Sequence, residues 1–364
     1  MKSILYIGGF EMPDGNAAAQ RVLAIGKALR CKYEITFLGI TRKADYSGEI
    51  DGFKYINLPY PSSKGGWLAH LSGSKELSFI KIAKPDIVIA YNFPAFGLWR
   101  ILRCCKKKGI KVIGDITEWY QPHNFLKRVD TFWRMVKLNK RMNGLIVISH
   151  YLKDYYSDVN SFYLPPTVDA SDGKWYSKNV NMNNNDRITL LYAGSPGRGS
   201  KDRLDGLIQV MGKYNQLSLD VIGIDWDTFQ QKFPEVTIPK NVKFWGRLSH
   251  EDTISKLRAC DFSVFFRQSS RVNNAGFPTK FAEAQAAGIP VISCHFSDLD
   301  KFVEDGKNGY LADSIKIEDI DKVLDKVSHL TREDIQAMHE YTRSLNRFDY
   351  RVYQDGLTHF ISLA

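Results

Sequence analysis

Short apolar runs alternate with segments of helical periodicity along this sequence, and this alternation is its strongest constraint on folding. The runs Ile4–Ile7, Ile87–Ala90 and Ile188–Ala193 are each followed by a segment with helical spacing of apolar residues. Strands that alternate with helices predict a parallel sheet, and ligands bind such sheets at the carboxyl ends of the strands. We therefore predict an α/β protein whose binding residues follow its apolar runs.

The pattern also predicts individual elements. In the first half we expect strands at 3–7, 34–38, 54–58, 87–90, 111–114 and 144–148, and helices at 17–30, 68–83, 96–108 and 125–142. In the second half we expect strands at 188–193, 218–222, 241–246, 261–266 and 291–294, and helices at 251–260, 316–327, 332–345 and near the end of the sequence.

The length of 364 residues suits two domains. A polar stretch, Ala170–Asp186, is rich in Asn, Ser and Lys, and it indicates an interdomain linker. We therefore predict an N-terminal domain at 1–168 and a C-terminal domain at 169–347. The aromatic residues of about 348–364 favour a last helix that packs back on the first domain.

Each half opens with an apolar run, a glycine-rich loop and a helical segment. The first loop begins with Gly8 and Gly9, and the second begins with Gly194 and contains the cations Arg198 and Lys201. Glycines allow a ligand close to the backbone, and cations beside a helix N-terminus favour a diphosphate. The alternative for the second loop is a solvated basic loop without a ligand, and the alternative for the first loop is a plain βα turn. Neither loop has the GxGxxG fingerprint, which disfavours a nicotinamide-dependent dehydrogenase.

A second candidate site lies between Arg271 and Leu311. A Gly-Phe-Pro turn precedes a helix of small residues that carries Glu283, with Lys280 on the same face. The helix N-terminus favours an anion, and the carboxylate one turn further can accept hydrogen bonds from sugar hydroxyls. This segment therefore predicts a loop–helix–strand unit that binds an anionic ligand.

Polar and aromatic residues also follow the strands of the first half. Asp115 and Glu118 stand beside Trp119, and His150 follows a later strand. Acids and aromatics in one loop are typical of carbohydrate binding and acid–base chemistry. The alternative for Asp115 is a residue that caps a turn.

The net charge of +10 belongs to the first half of the chain. Residues 1–170 carry 25 basic and 14 acidic residues, a net charge of +11, and the rest carries 25 and 26. The excess indicates an anionic partner: a phospholipid surface, a polyanionic acceptor or nucleic acid. A basic surface without a partner is the alternative. No recognised nucleic-acid module is present, so we expect no nucleic-acid partner.

One predicted helix fits contact with an anionic membrane. In 125–142, Phe125, Val129, Phe132, Trp133 and Val136 share one face, and cations cover the rest. Packing of this face on its own domain is the alternative. We find neither a signal peptide nor a bilayer-spanning run, and the five cysteines form no CxxC pair. These features predict a cytoplasmic protein with peripheral contact at the inner face of the membrane.

With these residues in view, the chain resembles the GT-B glycosyltransferases of glycosyltransferase family 4. The likeness is carried, in order, by YAGSPGRGSKD, NVKFWGRLSHEDTISKLRACDF, GFPTKFAEAQAAGIPVI and DLDKFVEDGKNGYL, with PDIVIAYNFPAF, LIVISHYLKDYY and YLPPTVD in the first half. It implies two Rossmann-like domains that face each other across a cleft. It also implies sugar transfer from a nucleotide-sugar donor with retention of configuration, without metal or cofactor.

The resemblance implies roles for particular residues. Glu283 matches the second acid of the family's Glu-x7-Glu motif, which holds the donor ribose, and Arg198 and Lys201 match the diphosphate-binding cations. Donor contacts would come from Gly8, Gly9, Gly194, Arg198, Lys201, Arg247, Leu248, Asn274, Gly276, Phe277, Pro278, Thr279, Lys280 and Glu283. Acceptor contacts would come from Asn16, Asn92, Trp119 and His150, and catalysis would involve Asp115, Glu118, Arg198 and Lys201.

The chain departs from the family pattern at three places. Ala275 replaces the first acid of the motif, Ser195 replaces the usual Arg after the strand, and DITEW, residues 115–119, replaces a common His. Asn273 and Asn274 are candidates to substitute for the missing acid. We expect a retaining glycosyltransferase that acts on a lipid-linked glycan of a cell-surface polysaccharide. The alternatives are a sugar-nucleotide epimerase of the same architecture, an inactive glycosyltransferase-like partner and a nucleic-acid-binding protein.

Overall fold

The computed structural model describes residues 1–13, 16–43, 46–122, 124–176, 187–194 and 202–364. The chain forms two compact units. Unit 1 contains Met1–Val168, Asn274–Phe277 and Tyr350–Ala364, and unit 2 contains Asp169–Asn273 and Pro278–Asp349. The first division falls after residue 168, the same position as the boundary expected from the linker.

Unit 1 is built on an eight-stranded sheet of order β3-β4-β2-β1-β5-β6-β7-β8. Its strands are β1 Lys2–Gly8, β2 Tyr33–Thr41, β3 Ser47–Ile50, β4 Phe53–Pro59, β5 Ile87–Tyr91, β6 Lys111–Ile116, β7 Gly144–Val147 and β8 Ser161–Tyr163. All neighbours are parallel except β3 and β4, which are antiparallel. The strand order reverses between β1 and β5, and ligands bind doubly wound sheets at such a switch point.

The helices of unit 1 begin and end where local chemistry favours it. They are α1 Ala17–Leu29, α2 Lys64–Leu71, α3 Ser74–Ala83, α4 Ala95–Lys108, α5 Phe125–Phe132 and α6 His150–Tyr155. Asn16 caps α1 by accepting a hydrogen bond from the Ala19 N–H at 2.9 Å. The helix α4 ends in three lysines and the left-handed Gly109, which suit the negative end of a helix dipole.

Unit 2 is built on a six-stranded parallel sheet of order β11-β10-β9-β12-β13-β14. Its strands are β9 Ile188–Ala193, β10 Leu217–Ile222, β11 Val242–Gly246, β12 Phe262–Val264, β13 Val291–Cys294 and β14 Gly309–Ala312. The helices in this part of the chain are α7 Leu204–Met211, α8 Trp226–Lys232, α9 His250–Ala259, α10 Arg271–Ala275, α11 Thr279–Ala286, α12 Ile317–Ser328 and α13 Arg332–Leu345. Here the order reverses between β9 and β12, so these strands frame the second switch point.

The last helix, α14 (Tyr350–Leu363), packs on unit 1. Leu357, Phe360 and Ile361 are buried in the core that contains α1 and the central strands. The Phe360 ring stacks on Phe162, with centroids 5.7 Å apart. The residues from the end of the chain thus complete the core of the unit that contains its beginning.

Two predicted helices differ from those observed. The segment expected to be one helix at 68–83 forms α2 and α3, because Gly73 between them adopts a left-handed φ of +61°. A Cβ at Gly73 would lie 3.2 Å from the Phe93 ring, so close packing favours glycine there. The helix expected at 125–142 is α-helical only to Phe132, and a π-helical turn at Trp133–Leu138 follows. Among the described helices, none has both the length and the apolar character needed to cross a bilayer.

Candidate active site

Three charged side chains meet at the switch point of unit 2. The strand β9 ends at Ala193, and the chain leaves β12 toward Arg267. The Asp202 carboxylate accepts hydrogen bonds from Arg267 Nε at 2.7 Å and from Lys280 Nζ at 2.9 Å. The Tyr192 hydroxyl donates a third hydrogen bond to Asp202 at 3.0 Å. The carboxyl edge of this sheet therefore carries a buried carboxylate between two cations.

The cluster has an excess of positive charge. Burial opposes ionisation of Asp202, but Lys280 and Arg267 outweigh it and hold the pKa of this carboxyl well below its ordinary value. Burial also lowers the pKa of Lys280, and the Asp202 carboxylate opposes that effect. With both cations protonated, these three side chains carry a net charge of +1, and the charge of Glu283, on the same helix as Lys280, offsets it.

Glycine at position 194 allows this arrangement. A Cβ built on Gly194 would lie only 2.8 Å from Lys280 Nζ. The same ammonium group lies 4.6 Å from the ring centre of Tyr192 and 4.9 Å from that of Phe265. Lys280 is thus held between two aromatic rings against the first residue of the glycine-rich loop, as a fixed cation.

The helix α11 brings Glu283 to the same region. It begins at Thr279, directly after the Gly-Phe-Pro turn, and its N-cap residue, Pro278, makes no side-chain capping hydrogen bond. An anion near this helix N-terminus is favoured by the helix dipole. Glu283 is half-buried on the same helix, and its charge favours the protonated form of Lys280. Lys280 and Glu283 therefore lie on one helix, as the sequence predicted.

The other predicted donor contacts are distributed between the two units. Arg198 and Lys201, the predicted diphosphate-binding cations, lie outside the described residues. Arg247 is exposed and Leu248 half-buried just after β11, at its carboxyl end. Asn274, Gly276 and Phe277 belong to unit 1, together with Gly8 and Gly9.

The position of the missing family acid is occupied by a fully buried side chain. Ala275 ends α10, and its carbonyl accepts a hydrogen bond from Ser149 Oγ at 2.9 Å, both residues belonging to unit 1. The Asn273 side chain donates a hydrogen bond to the Gln268 carbonyl at 2.8 Å. This hydrogen bond joins Asn273 to the preceding loop.

Asp115, predicted as an acid in a loop, instead lies inside β6 and is fully buried. Arg21 Nη2 lies 2.8 Å from one of its carboxylate oxygens, and the Tyr6 hydroxyl donates to the other at 2.7 Å. Arg21 Nη1 also donates to the carbonyls of Leu164 and Pro165. A carboxylate with these partners ties α1 to the sheet, which favours a structural role over contact with an acceptor.

The predicted acceptor residues also have structural partners. Asn92, in the left-handed region at φ +41°, donates to Thr117 Oγ1 at 2.6 Å and accepts from the Thr117 N–H. This pair joins the ends of β5 and β6.

Two glycines predicted to contact the donor lie at the end of β1. A Cβ at Gly8 would lie 2.7 Å from the Tyr91 carbonyl, so packing between β1 and β5 requires glycine there. A Cβ at Gly9 would meet nothing within 4 Å.

Three other predicted residues lie near these strand ends. Trp119 makes an edge contact with Tyr155, with centroids 4.7 Å apart, and His150 packs on Tyr163 at 4.0 Å. Glu118 is half-buried; after burial, its charge is the main cause of the raised pKa of Tyr120. The structure thus brings Gly8, Asn92 and Asp115 to one switch point, where Asn92 pairs with Thr117, Asp115 pairs with Arg21 and Tyr6, and Gly8 packs against Tyr91.

Sequence reasoning missed Asp202, Arg267 and Arg21 as site residues. A signal existed for two of them, because Arg267 follows the buried strand β12 and Asp202 ends the YAGSPGRGSKD segment. Arg21 gave no signal, since a cation within an amphipathic helix is usually exposed. Its partner Asp115 is 94 residues away in the sequence.

The chain is similar to known proteins in part of its sequence and in its fold. Residues 174–345, most of unit 2, match a family model described as glycosyl transferases group 1. No curated protein sequence matches the chain significantly. Among solved structures, the sucrose-phosphate synthase of Thermosynechococcus elongatus is similar at a TM-score of 0.77 and 14% identity, with 100% of this chain and 98% of that chain covered.

Two further structures extend the likeness. The Anabaena protein HepE, solved with UDP and glucose, is similar at a TM-score of 0.72 and 14% identity, with both chains fully covered. WaaG, a glycosyltransferase involved in lipopolysaccharide biosynthesis, is similar at 0.68 and 15% identity, with 99% of each chain covered. At these identities the likeness shows the fold. The prediction of a two-domain α/β protein with the GT-B fold of glycosyltransferases is confirmed.

Proposed function

We propose that this chain is a glycosyltransferase that moves a sugar from a nucleoside diphosphate sugar to an acceptor hydroxyl, with retention of configuration and without a metal ion. One observation carries the proposal. The cluster of Asp202, Arg267 and Lys280 stands beside the Glu283 helix at the switch point of unit 2. This is where a doubly wound sheet binds a nucleotide, and it lies within the segment that matches the group 1 model.

The charges suit the departure of a diphosphate. As the bond between the sugar carbon and the phosphate oxygen breaks, negative charge grows on the leaving group, and fixed cations and helix N–H groups stabilise it. Lys280 and Arg267 are held in place by Asp202, so little reorganisation is needed. The acceptor oxygen bonds to the sugar carbon from the face of the leaving group, and its proton passes to the released diphosphate. Arg198 and Lys201 remain candidates for the same role.

Glu283 is assigned to the donor ribose. Its carboxylate, half-buried one turn into α11, can accept hydrogen bonds from two vicinal hydroxyls. UDP-sugars are the first donors to test, because the similar HepE structure contains UDP and glucose.

Ligand-induced thermal stabilisation tests the donor site. Wild-type protein is heated with UDP, GDP, CMP or ADP in the presence of EDTA, and we expect one of these nucleotides to raise Tm. A ligand at a hundredfold excess over Kd stabilises the folded state by about 2.7 kcal/mol. Glu283→Ala should abolish most of the shift, whereas Glu340→Ala, an exposed acid of α13, should retain it.

Each negative result of this experiment would overturn a different part of the proposal. A folded wild-type protein that shifts with none of the four nucleotides contradicts the proposal and favours an inactive partner subunit. Shifts that survive Glu283→Ala overturn the ribose assignment only. Release of an altered free sugar nucleotide, without transfer to an acceptor, would indicate the epimerase instead.

We further propose that the acceptor is a glycan carried by a lipid, reached at the inner membrane surface. The support is α5, where Phe125 and Leu126 are 73% and 75% exposed and Phe132, at the end of the helix, is 60% exposed. Lys127 and Arg128 are exposed between them. Apolar side chains flanked by cations favour insertion among anionic head groups.

A basic cavity of unit 1, lined by residues of α4, of the start of β6 and of the segment that follows α5, adds support. It has a volume of about 870 Å³, and Arg103, Lys106, Lys111 and Arg141 are among its eleven lining residues, none of which is acidic. Trp99 lines it and stacks on the exposed Phe96 at 5.9 Å. Its size and cations suit a phosphate-bearing head group with part of its apolar chain.

A further inference from the structure

A second, smaller cavity lies at the carboxyl edge of the unit 1 sheet. Its volume is about 150 Å³, and Ile40 and Leu58, near the ends of β2 and β4, form part of its wall. The rest comes from the loop after β4 and from α2 and α3. Because ligands of doubly wound sheets bind at this edge, the position suits a ligand of unit 1.

The cavity contains an unsatisfied buried carboxyl group. Glu76 is only 3% exposed, and its Oε2 atom has no hydrogen-bond partner among the described residues. Burial raises the pKa of this carboxyl to about 7, although its own backbone N–H and Lys75 act in the opposite direction. A buried polar atom without a partner is costly, so its retention beside a cavity points to a ligand group that satisfies it.

The other polar groups restrict the chemistry of that ligand. His70 and Lys75 line the same cavity, and burial lowers the pKa of His70, which favours a neutral ring that can donate or accept. A cationic ligand would meet Lys75, and an anionic ligand would meet Glu76. A neutral ligand with several hydroxyl groups satisfies all three side chains.

An exposed aromatic ring lies next to two of the lining residues. Trp67, 42% exposed on α2, lies 5.6 Å from Tyr60 and 6.0 Å from His70, measured between ring centres. Arg42 covers one face of Tyr60 at 4.1 Å, so Trp67 offers the more accessible ring. An exposed aromatic beside buried hydrogen-bonding groups suits a sugar, which has apolar C–H faces and polar edges.

We propose that this cavity binds one sugar ring of the acceptor, with Glu76 and His70 hydrogen-bonded to its hydroxyls and Trp67 packed on its face. The proposal rests on the glycosyltransferase function, and it names the part of unit 1 that recognises the acceptor. A volume of 150 Å³ corresponds to about five water molecules at roughly 30 Å³ each, which is the size of a single ring.

Saturation-transfer NMR without any nucleotide tests this site. The probes are the methyl glycosides of glucose, galactose, mannose and N-acetylglucosamine, mixed with the full chain. We expect transfer to at least one glycoside. Glu76→Gln should weaken binding about tenfold because it removes a hydrogen bond to a charged group, and Trp67→Ala should weaken it by a similar factor because it removes the ring that packs on the sugar. Leu68→Ala, an exposed apolar neighbour of Trp67 on α2, is the matched control and should bind normally.

The possible outcomes separate this inference from the function it rests on. No transfer to any glycoside, or transfer unaffected by both variants, means that the cavity holds water only, and overturns the inference even if UDP stabilises the protein. Glycoside binding lost in both variants supports it even if no nucleotide binds. If Glu76→Gln does not fold, Trp67→Ala decides, because the partly exposed Trp67 can be replaced without disturbing the core.

Discussion

The pKa values of two buried carboxyl groups are shifted in opposite directions, and the neighbours of each group explain the direction. Asp202 and Glu76 are both almost inaccessible to solvent. Asp202 lies against two cations, which hold its pKa low in spite of burial, whereas Glu76 faces a cavity and its pKa rises to about 7. Asp202 is therefore charged at neutral pH, and Glu76 is close to half protonated.

The raised pKa of Glu76 predicts a pH-dependent stability. In the unfolded chain the group titrates near 4.5, so the folded protein binds the extra proton between about pH 4.5 and 7. The free energy of unfolding should therefore fall as pH rises through this range, by on the order of 3 kcal/mol in total. Glu76→Gln should remove this fall and make the protein more stable than wild type at pH 8, as measured by urea denaturation at several pH values.

The comparison needs a control on the same chain. Glu340→Gln changes an exposed glutamate of α13 and should leave the wild-type pH profile intact. If Glu76→Gln shows the same decline between pH 4.5 and 7 as wild type, the buried carboxyl is not its source.

For single residues, the sequence indicated which side chains share an element, but it did not indicate which side chains pair across the fold. Glu283 and Lys280 share a helix, as their spacing of three residues indicated. The ion pair of Arg21 with Asp115 joins a helix to a strand 94 residues away, and no local pattern encodes that distance. Asp115 consequently looked like a ligand-binding acid in the sequence, although it is the buried anchor of a helix.

Elements with a strong apolar pattern were predictable from the sequence, and elements without such a pattern were not. The central strands are continuous buried runs, and β1, β5 and β9 lie where the apolar residues indicated. The edge strand β3 is mostly exposed and has no apolar pattern, so only its antiparallel pairing with β4 defines it. The break between α2 and α3 depends on contact with the distant Phe93, which local propensity does not show.

The docking of α14 makes a prediction at the scale of one element. Phe360 is buried against Phe162, and it approaches Gly144 so closely that a Cβ there would lie 2.7 Å from its ring. Phe360→Ala should leave a cavity and lower the free energy of unfolding by about 3–5 kcal/mol. Leu363→Ala, on the same helix but 67% exposed, should change it by less than about 0.5 kcal/mol.

Chemical denaturation of the two variants distinguishes packing from helix propensity. Alanine favours a helix over both phenylalanine and leucine, so a change in propensity would raise the stability of both variants slightly and cannot cause a loss. Equal stability of the two proteins would mean that α14 contributes little to the core of unit 1.

The molecule as a whole has an uneven charge distribution. The net charge of +11 lies in residues 1–170, and the exposed apolar side chains of α5 lie in the same unit. A cationic surface attracts an anionic membrane over several ångströms, and apolar side chains then hold it in place. The two features together predict binding that depends on both lipid charge and salt.

Vesicle co-sedimentation measures this dependence. Vesicles of phosphatidylcholine with phosphatidylglycerol should bind the protein, and vesicles of phosphatidylcholine alone should not. Replacing Phe125, Leu126 and Phe132 by serine should reduce binding about tenfold or more, because each loses apolar burial in the membrane. Replacing Ile82 and Val352, which are exposed elsewhere on unit 1, should have little effect. Equal sedimentation with both vesicle types, or with all variants, would contradict the membrane proposal.

Unit 1 is assembled from three separate stretches of chain, and this has a consequence for biosynthesis. A ribosome delivers the β-strands of unit 1 first, but Leu357, Phe360 and Ile361, which complete its core, emerge only after all of unit 2. During that interval the apolar surface that α14 will cover remains exposed, and such surfaces favour aggregation or chaperone binding. Nascent chains that stop before residue 350 would therefore lack a finished first unit and would leave part of its apolar core uncovered.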